Sequence, residues 1–440
     1  MISTTAARPR AAVSAEPTRA SVGIGAIAVL VGVSLAWGHW ITSHSTRSLV
    51  LGALPFFGYW ELSAEPGALV AAAALVAAVV GLPWLAERWS WRRVLASCAA
   101  AVVVLGAALT LVDPPAQRWG SISTDYGNHV ALVDGAGGPG HFLSTYVDRQ
   151  LTYPTHLSAH PPGLTLLLWA ANGVGLHGDG FTSVLALFGA AAAAVGALIA
   201  LDDVAGRRAA RAAAPFAVVA PAAIWHTNAD VIFAGLAMTA VALVVVATGR
   251  PARRALTAAA AGGVVFGLAL LGTYGVALLA VPIALVGARR RALAPLAVAA
   301  LATVLVLAVP AWWGYSWIAG LQATRAAYAH SLAGVRPYWY FVVADLAVFA
   351  VAIGPAVMVG LTRVRDRNVG LLVGAAVIVV VLADLSGLAS AETERIWQPF
   401  MPLVLLAGAA AAGPRWSARQ WLALQATSTF VLQLFLRSPW

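Results

Sequence analysis

Residues 181–201 read FTSVLALFGAAAAAVGALIAL, without a single charged side chain, and residues 206–215 read GRRAARAAAP. At about 1.5 Å per residue, a helix of this length crosses the roughly 30 Å hydrocarbon core of a bilayer. Arginines directly after such a run are typical of the cytoplasmic end of a spanning helix. The stretch therefore predicts a transmembrane helix followed by a cytoplasmic turn.

The same character extends over the whole chain. Of its 440 residues, 61% are hydrophobic and 10% are charged, whereas soluble domains carry about 25% charged residues. We therefore predict an all-α, polytopic membrane protein, with a disordered cytoplasmic tail at 1–22 and one transmembrane domain at 23–440. Thirteen apolar runs predict its spans: 23–41, 67–86, 94–112, 181–200, 212–225, 231–248, 255–272, 274–288, 293–310, 339–360, 369–387, 398–413 and 419–436.

The charges predict the orientation of these spans. All 27 basic residues are arginine, and a cytoplasmic N-terminus places most of them in cytoplasmic loops, as the positive-inside rule requires. The exceptions are Arg47, Arg118, Arg149, Arg325, Arg336, Arg395 and Arg437. The net charge of +10 then reflects topology and not nucleic-acid binding. We predict a multi-pass protein of the plasma membrane with its histidines and most of its acids on the extracytoplasmic side.

Polar residues gather in one long loop, residues 113–162. It carries four Asp, two Arg and four His. Long loops between helices are usually functional or disordered, and the aromatic residues here argue against disorder. We interpret it as the extracytoplasmic active-site loop. The run 163–176 that follows is too short to span comfortably, and Pro161-Pro162 suit the start of a helix at the membrane face.

Two motifs in this loop are candidates for chemistry. In TDYGNH (124–129), Asp125 with Tyr126 and His129 could act as a general base or bind a cation. The alternative is a solvated loop carboxylate. In YPTHLSAHPPG (153–163), His156 and His160 could donate to, or stack on, a polar substrate. The alternative is that they anchor an interfacial helix in the headgroup layer.

Two later motifs lie beside predicted spans. In WHTNAD (225–230), Asp230 stands at the mouth of a helix, where a simple capping role is the alternative. In AETERIWQPFMP (391–402), Glu392, Glu394 and Arg395 lie beside the start of a span. An arginine there is a natural partner for phosphate, and the alternative is a surface Glu–Arg pair. The single cysteine, Cys98, excludes an internal disulfide and a cysteine-based metal site.

The order of these elements resembles the membrane glycosyltransferases of the GT-C superfamily, in particular the protein O-mannosyltransferase and aminoarabinose transferase group. Asp125 matches the acidic motif of the first large outer loop, and His160, Pro161, Pro162 and Gly163 match its HPP motif. Residues 221–230 and 394–402 are similar to the family's later outer segments. The likeness covers about residues 94–413. This chain departs from the family in having Tyr126 after Asp125, and in two additional N-terminal spans.

The resemblance implies an inverting transferase that takes a sugar from a polyprenyl-phosphate-linked donor. Asp125 would deprotonate the hydroxyl of a glycan, lipid or protein acceptor of the cell envelope, and Arg395 would stabilise the departing phosphate. Substrate contacts are expected from Tyr126, His129, His156, His160, Asp230 and Glu394. No cofactor is required with certainty, although a divalent cation is left open. No nucleic acid is expected as a partner.

Two other functions remain open. One is a transporter or flippase of lipid-linked saccharides, and the other is a non-catalytic membrane subunit of envelope assembly. The long acidic loop favours an enzyme, because transporters hold their polar groups near the middle of the bilayer.

Overall fold

The structure is a computed structural model that describes residues 15–45, 49–63, 65–222 and 227–438. Within these ranges the only strands are β1 (Tyr59–Trp60) and β2 (Leu436–Arg437), which pair antiparallel, and helices form most of the rest. The prediction of an all-α protein is confirmed. The strand pair joins the connection after the first helix to the last described residues.

Three long helices precede the polar loop. They are α1 (Ala15–His44), α2 (Gly67–Arg88) and α3 (Trp91–Thr110). Helix α1 already includes residues 15–22 of the predicted disordered tail, and residues 1–14 lie outside the described ranges. The helix is therefore longer than the apolar run 23–41, because flanking polar residues extend it at both ends.

The polar loop is folded into short helices. They are α4 (Ser121–Asp125), α5 (Ala131–Gly135), α6 (Pro139–Arg149), α7 (Thr155–Ala159) and α8 (Gly163–Asn172), with 3₁₀ turns at Pro115–Gln117, Gly127–His129 and Gln150–Thr152. His160 has an extended backbone before α8 begins, as expected of a residue that precedes proline. Helix α8 covers only about 15 Å, which agrees with the prediction that this segment does not span.

The rest of the described chain is also mainly helical. In order, its helices are α9 (Gly178–Ala205), α10 (Arg207–Val218), α11 (Ala229–Thr248), α12 (Ala252–Leu270), α13 (Ala280–Arg289), α14 (Leu293–Ala311), α15 (Trp317–His330), α16 (Tyr338–Ile353), α17 (Pro355–Leu361), α18 (Arg367–Leu385), α19 (Thr393–Ile396), α20 (Met401–Leu405) and α21 (Ala418–Phe435). Short 3₁₀ segments lie at Gly275–Leu279, Leu332–Val335 and Leu406–Ala411.

Several helices can cross a membrane. Within the described residues, eight are long and apolar enough: α1, α2, α3, α9, α11, α12, α14 and α18. The bent pair α16–α17 makes a ninth if it is one span. The four other predicted spans, 212–225, 274–288, 398–413 and 419–436, overlap α10, Gly275–Arg289, Met401–Ala411 and α21, which are shorter or more polar. The chain is thus a helical protein with several apolar helices, and the number thirteen stays a prediction.

Arginine-rich connections meet at one end of the helical bundle. Arg211 in α10 donates to the carbonyl oxygens of Ala86 and Trp89, at the end of α2. Arg290, after α13, donates to the carboxylate of Asp203 at 2.6 Å. Asp203 therefore balances the charge of an arginine from a distant turn at this end.

The polar loop and the strands lie at the opposite end. Arg437 in β2 forms an ion pair with Asp113, after α3, and Gln433 of α21 donates to the same carboxylate at 3.0 Å. The ends of α3 and α21 therefore meet on this side, away from the arginine turns. That separation agrees with the charge pattern, and which end faces the cytoplasm stays a prediction.

Close packing of α9 against α11 positions one site residue. A Cβ on Gly235 would lie 2.5 Å from the carbonyl oxygen of Gly189, and a Cβ on Gly196 would lie 2.6 Å from that of Met238. Glycines permit such close approach between membrane helices. The contacting residue numbers rise together along both helices, so α9 and α11 run parallel. This packing fixes the first turn of α11, with Asp230, against α9.

Helices α16 and α17 meet at a bend of 106°. Gly354 at the bend has a φ of +85°, which favours glycine. Gln425 of α21 fills the break, since its Oε1 accepts from the Ala356 N–H at 3.0 Å and its Nε2 donates to the Ile353 carbonyl at 2.5 Å. This side chain replaces hydrogen bonds that the broken helix cannot make, which apolar surroundings would otherwise leave unsatisfied.

Candidate active site

Buried hydrogen bonds hold the second half of the polar loop in place. The hydroxyl of Tyr146 lies 2.6 Å from the carbonyl oxygen of Leu157 and 3.0 Å from that of His160. Gln150 donates to the carbonyl oxygen of Ser158 at 2.8 Å and to Thr324 of α15 at 2.7 Å. The segment that carries the two candidate histidines is therefore held by buried hydrogen bonds.

Asp125 and His156 form a pair at the surface of this loop. Asp125 ends α4 and His156 lies in α7, and their Oδ1 and Nε2 atoms are 3.3 Å apart. The two side chains are 27% and 28% exposed, so a substrate can reach both. Burial lowers the pKa of His156 below its ordinary value, although the neighbouring Asp125 carboxylate opposes this effect. The pair can accept a proton from a hydroxyl group that is bound beside it.

Tyr126 lies behind that pair in the protein interior. Its ring centroid is 5.6 Å from that of His156 and 6.0 Å from that of His160. Its hydroxyl has no hydrogen-bond partner among the described residues and is completely buried. Burial raises the pKa of Tyr126 well above its usual value, and the carboxylate of Asp230 raises it further. The phenol therefore stays protonated and can donate to a bound ligand.

Arg395 lies between two carboxylates on the inner side of Tyr126. From α19, its Nη1 donates to Oδ2 of Asp230 and its Nη2 donates to Oε2 of Glu392, both at 2.6 Å. The Arg395 side chain is 8% exposed. The Glu–Arg pair that stands as the alternative is therefore present between Glu392 and Arg395, but its guanidinium is buried and also binds Asp230. Asp230 is not the cap of α11 either, since the side chain of Asn228 accepts from the Val231 N–H.

Glu392 has an unusual backbone. It and Ala391 have φ values of +62° and +73°, in the left-handed region that residues other than glycine seldom adopt. Asp345 of α16 accepts from the Ala391 N–H at 3.0 Å and so holds this turn. Strained turns that their surroundings enforce cluster at functional sites, and this one places the Glu392 carboxylate against Arg395.

His160 and His129 complete the group of loop residues. His160 Nδ1 lies 3.3 Å from the carbonyl oxygen of Gly272, and its ring is 5.8 Å from that of Phe233. Burial lowers the pKa of His160 to about 3, so the imidazole is neutral. His129 ends a 3₁₀ turn near His156. Both fit a binding role better than proton transfer.

Glu394 precedes Arg395 in α19 and is buried. Neither of its carboxylate oxygens has a hydrogen-bond partner among the described residues, and it lines a cavity of about 30 Å³ together with Asp113 and Gln433. Burial raises the pKa of Glu394 to about 8. A cavity of this size holds one or two waters and not a sugar. This cavity is therefore too small to hold a sugar, and direct substrate contact by Glu394 stays a prediction.

The structure thus brings together Asp125, Tyr126, His129, His156, His160, Asp230 and Arg395. Glu392, which the sequence places beside Arg395 but does not mark as a site residue, is its second partner, and its left-handed backbone goes with this position. Among the described residues, no group of three His, Cys, Asp or Glu side chains is placed to hold a metal ion. Residues 225 and 226 of the WHTNAD motif lie outside the described ranges.

The formal charge of the site is negative. Asp125, Asp230 and Glu392 supply three carboxylates against the single guanidinium of Arg395. Such surroundings stabilise positive charge that develops on a bound substrate.

No protein-family model matches this sequence, and no curated protein matches it.

Proposed function

We propose that this protein is an integral-membrane, inverting glycosyltransferase of the GT-C type. Its donor would be a polyprenyl-phosphate-linked sugar, and its acceptor a hydroxyl of the cell envelope on the extracytoplasmic face. The observation that carries the proposal is the reachable Asp125–His156 pair, 3.3 Å apart, above the buried Asp230–Arg395–Glu392 group. The order of motifs that resembles the GT-C transferases supports the same function.

In the proposed reaction, Asp125 removes the proton of the acceptor hydroxyl while His156 positions the carboxylate. The oxygen forms a bond to the anomeric carbon, and the bond from that carbon to the lipid phosphate breaks with its electron pair on the phosphate. Attack from the opposite face inverts the configuration. Glycosyl transfer passes through a carbon with oxocarbenium character, and the excess of carboxylates would stabilise that positive charge.

The geometry suggests a changed role for Arg395. Both of its Nη atoms bind carboxylates, so a direct bond to the leaving phosphate would require one of them to be displaced. We infer that Arg395 mainly positions Asp230 and Glu392 toward the sugar. The buried hydroxyl of Tyr126, which has no partner among the described residues, is a donor available to a ligand in this group.

The test is transfer by purified protein in liposomes, using a small panel of polyprenyl-phosphate sugars and a mixture of envelope acceptors. We expect product of inverted configuration with at least one donor, and at least a hundredfold less with Asp125→Asn, from general-base magnitudes of about 10²–10⁴. Asp134→Asn is the matched control, because Asp134 lies in the same loop and bonds to Trp169 instead.

A second assay distinguishes a transferase from a transporter of lipid-linked saccharides. Proteoliposomes with labelled lipid-linked saccharide in one leaflet report its movement to the other leaflet. Movement without turnover, unaffected by Asp125→Asn, would contradict the proposal and favour a flippase. The site lies at the end of the bundle that carries the loop, and transporters hold substrates near the middle of the membrane, so we expect turnover.

A further inference from the structure

A second cavity lies at the arginine-rich end, opposite the candidate active site. Its volume is about 570 Å³, and it opens between α2, α10 and α21. Ligand pockets typically measure about 300–1,000 Å³. One wall is apolar and includes Ala212, Phe216 and Leu422. The cavity is far larger than a water site and has the dimensions of an organic ligand.

Arginines of α10 form its polar wall. Arg207, Arg208 and Arg211 all line the cavity, on consecutive turns of one helix. Arg207 is held by two bonds of 2.8 Å to Asp202, and Arg211 by the carbonyl oxygens of Ala86 and Trp89. These contacts fix two guanidinium groups at the mouth before any ligand binds.

The cavity favours an anion. Arg208 is exposed and makes no ion pair within the described residues. Glu87 also lines the cavity, and with Asp202 it brings two carboxylates against three arginines, which leaves an excess of one positive charge. A negatively charged group beside Arg208 would therefore be attracted, and a guanidinium suits a phosphate in particular.

Aromatic residues place the mouth at an interface. The guanidinium of Arg207 lies 4.7 Å from the ring centroid of Trp91, and Trp89 is exposed beside it. Tryptophans with arginines are typical of the headgroup layer at the ends of spanning helices. The apolar wall then continues from the mouth toward the hydrocarbon region along α2 and α21.

We propose that this cavity binds an anionic phospholipid, with the headgroup phosphate against Arg208 and Arg211 and an acyl chain along Pro83, Ala212 and Ala418. Basic pockets between helices on the cytoplasmic side are suited to anionic headgroups. The site is independent of the proposed transfer reaction, because it lies at the other end of the bundle. Charge complementarity together with the apolar wall distinguishes this occupant from a zwitterionic lipid.

The experiment is native mass spectrometry of the full-length protein released from nanodiscs that contain phosphatidylglycerol and phosphatidylcholine in equal amounts. We expect preferential retention of phosphatidylglycerol. One arginine near a membrane surface contributes roughly fivefold in affinity, so Arg208→Ala should lower retention about fivefold and Arg208→Glu should lower it further. Arg208 is exposed, so both variants should fold.

Two matched controls use the same end of the bundle. Arg254→Ala removes an exposed arginine that does not line the cavity, and retention should not change. Ala212→Trp fills the cavity from an exposed position and should reduce retention, whereas Ala288→Trp, also exposed, should leave it unchanged. A further sample with millimolar inorganic phosphate should keep its lipid.

Three results would overturn the proposal. They are equal retention of the two lipids, equal effects of Arg208→Ala and Arg254→Ala, and complete displacement by inorganic phosphate. The last result would assign the arginines to a soluble phosphate compound instead of a lipid. Loss of transfer activity with normal lipid retention would bear on the proposed function alone.

Discussion

Asp230 and Arg395 are 165 positions apart in the chain, and their side chains meet at 2.6 Å in the interior of the protein. The contact joins the first turn of α11 to the short helix α19. It lies beneath Tyr126, whose pKa responds to both charges. The buried ion pair thus connects the loop that carries Asp125 to the helical bundle.

The first prediction concerns this pair. Arg395→Ala leaves the buried Asp230 carboxylate without its guanidinium, and breaking a buried pair costs about 3–5 kcal/mol. We expect a lower apparent melting temperature and lower turnover. Arg395→Lys should recover only part of both, because lysine keeps the charge and loses the two-pronged geometry. If Asp230→Asn combined with Arg395→Gln is as unstable as the sum of the single changes, the two residues are not coupled.

A second prediction compares the acids of the polar loop. Asp125→Asn should abolish most transfer and keep donor binding, because it removes the base and preserves the shape of the side chain. Asp148→Asn changes an exposed carboxylate of the same loop and should have little effect. Initial rates and donor binding, measured in parallel on purified variants, decide between them. Near-normal transfer by Asp125→Asn would exclude it as the base.

The third prediction is a pH dependence. Neutral His156 can support Asp125 in accepting a proton, and burial lowers its pKa below 6.5. The histidine is therefore half charged at a pH below 6.5, and kcat/KM should rise with pH along an acidic limb whose midpoint lies below that value. His156→Gln should remove this acidic limb. Nuclear magnetic resonance of labelled histidines checks the titration directly, and a midpoint above 6.5 for His156 would contradict the assignment.

A fourth prediction uses the buried carboxyl of Glu394. Its pKa is raised from 4.5 to about 8, so the folded protein keeps a proton that the unfolded chain releases between these values. Stability should therefore fall as pH rises from about 4.5 to 8. Glu394→Gln, always neutral, should match the parent near pH 5 and be more stable at pH 8.5. Equal melting temperatures at both pH values would mean that Glu394 is not buried as a neutral acid.

The fifth prediction is the sidedness of the two ends. Thr152→Cys lies on the loop end and Arg253→Cys on the arginine end, and both positions are exposed. With the buried Cys98 replaced by alanine, an impermeant thiol reagent should label Thr152→Cys in intact cells. Arg253→Cys should react only after permeabilisation. The reverse pattern would place the polar loop in the cytoplasm.

Sequence patterns predicted where the helices lie, but they did not predict which helices contact each other. Apolar runs indicate spans because lipid imposes a uniform requirement on each helix, and proline after His160 predicted the start of α8. Such patterns do not reveal that α10 is short and that the chain from Val219 leaves the helix. A run of apolar residues buried by protein looks the same as one that faces lipid.

The candidate site was only partly predictable. Asp125 and His156 lie within one loop of unusual polarity, so the composition of that loop identifies both as candidate site residues. The position of Asp113 was not predictable, because its partners Gln433 and Arg437 are more than 300 residues away. Glu392 depends on two left-handed residues that carry no glycine signal. Long-range partners and local strain both require the folded chain.

Because the chain is synthesised from the N-terminus, the bend between α16 and α17 forms before the side chain that completes its hydrogen bonds. Ile353 and Ala356 are made long before Gln425, which lies 72 and 69 positions later. At about 5–20 residues per second, the ribosome needs roughly 4 to 14 seconds to reach that glutamine. During this interval the newly inserted segment has exposed peptide groups at its break, and it depends on water, lipid headgroups or an insertion factor until the last helix arrives.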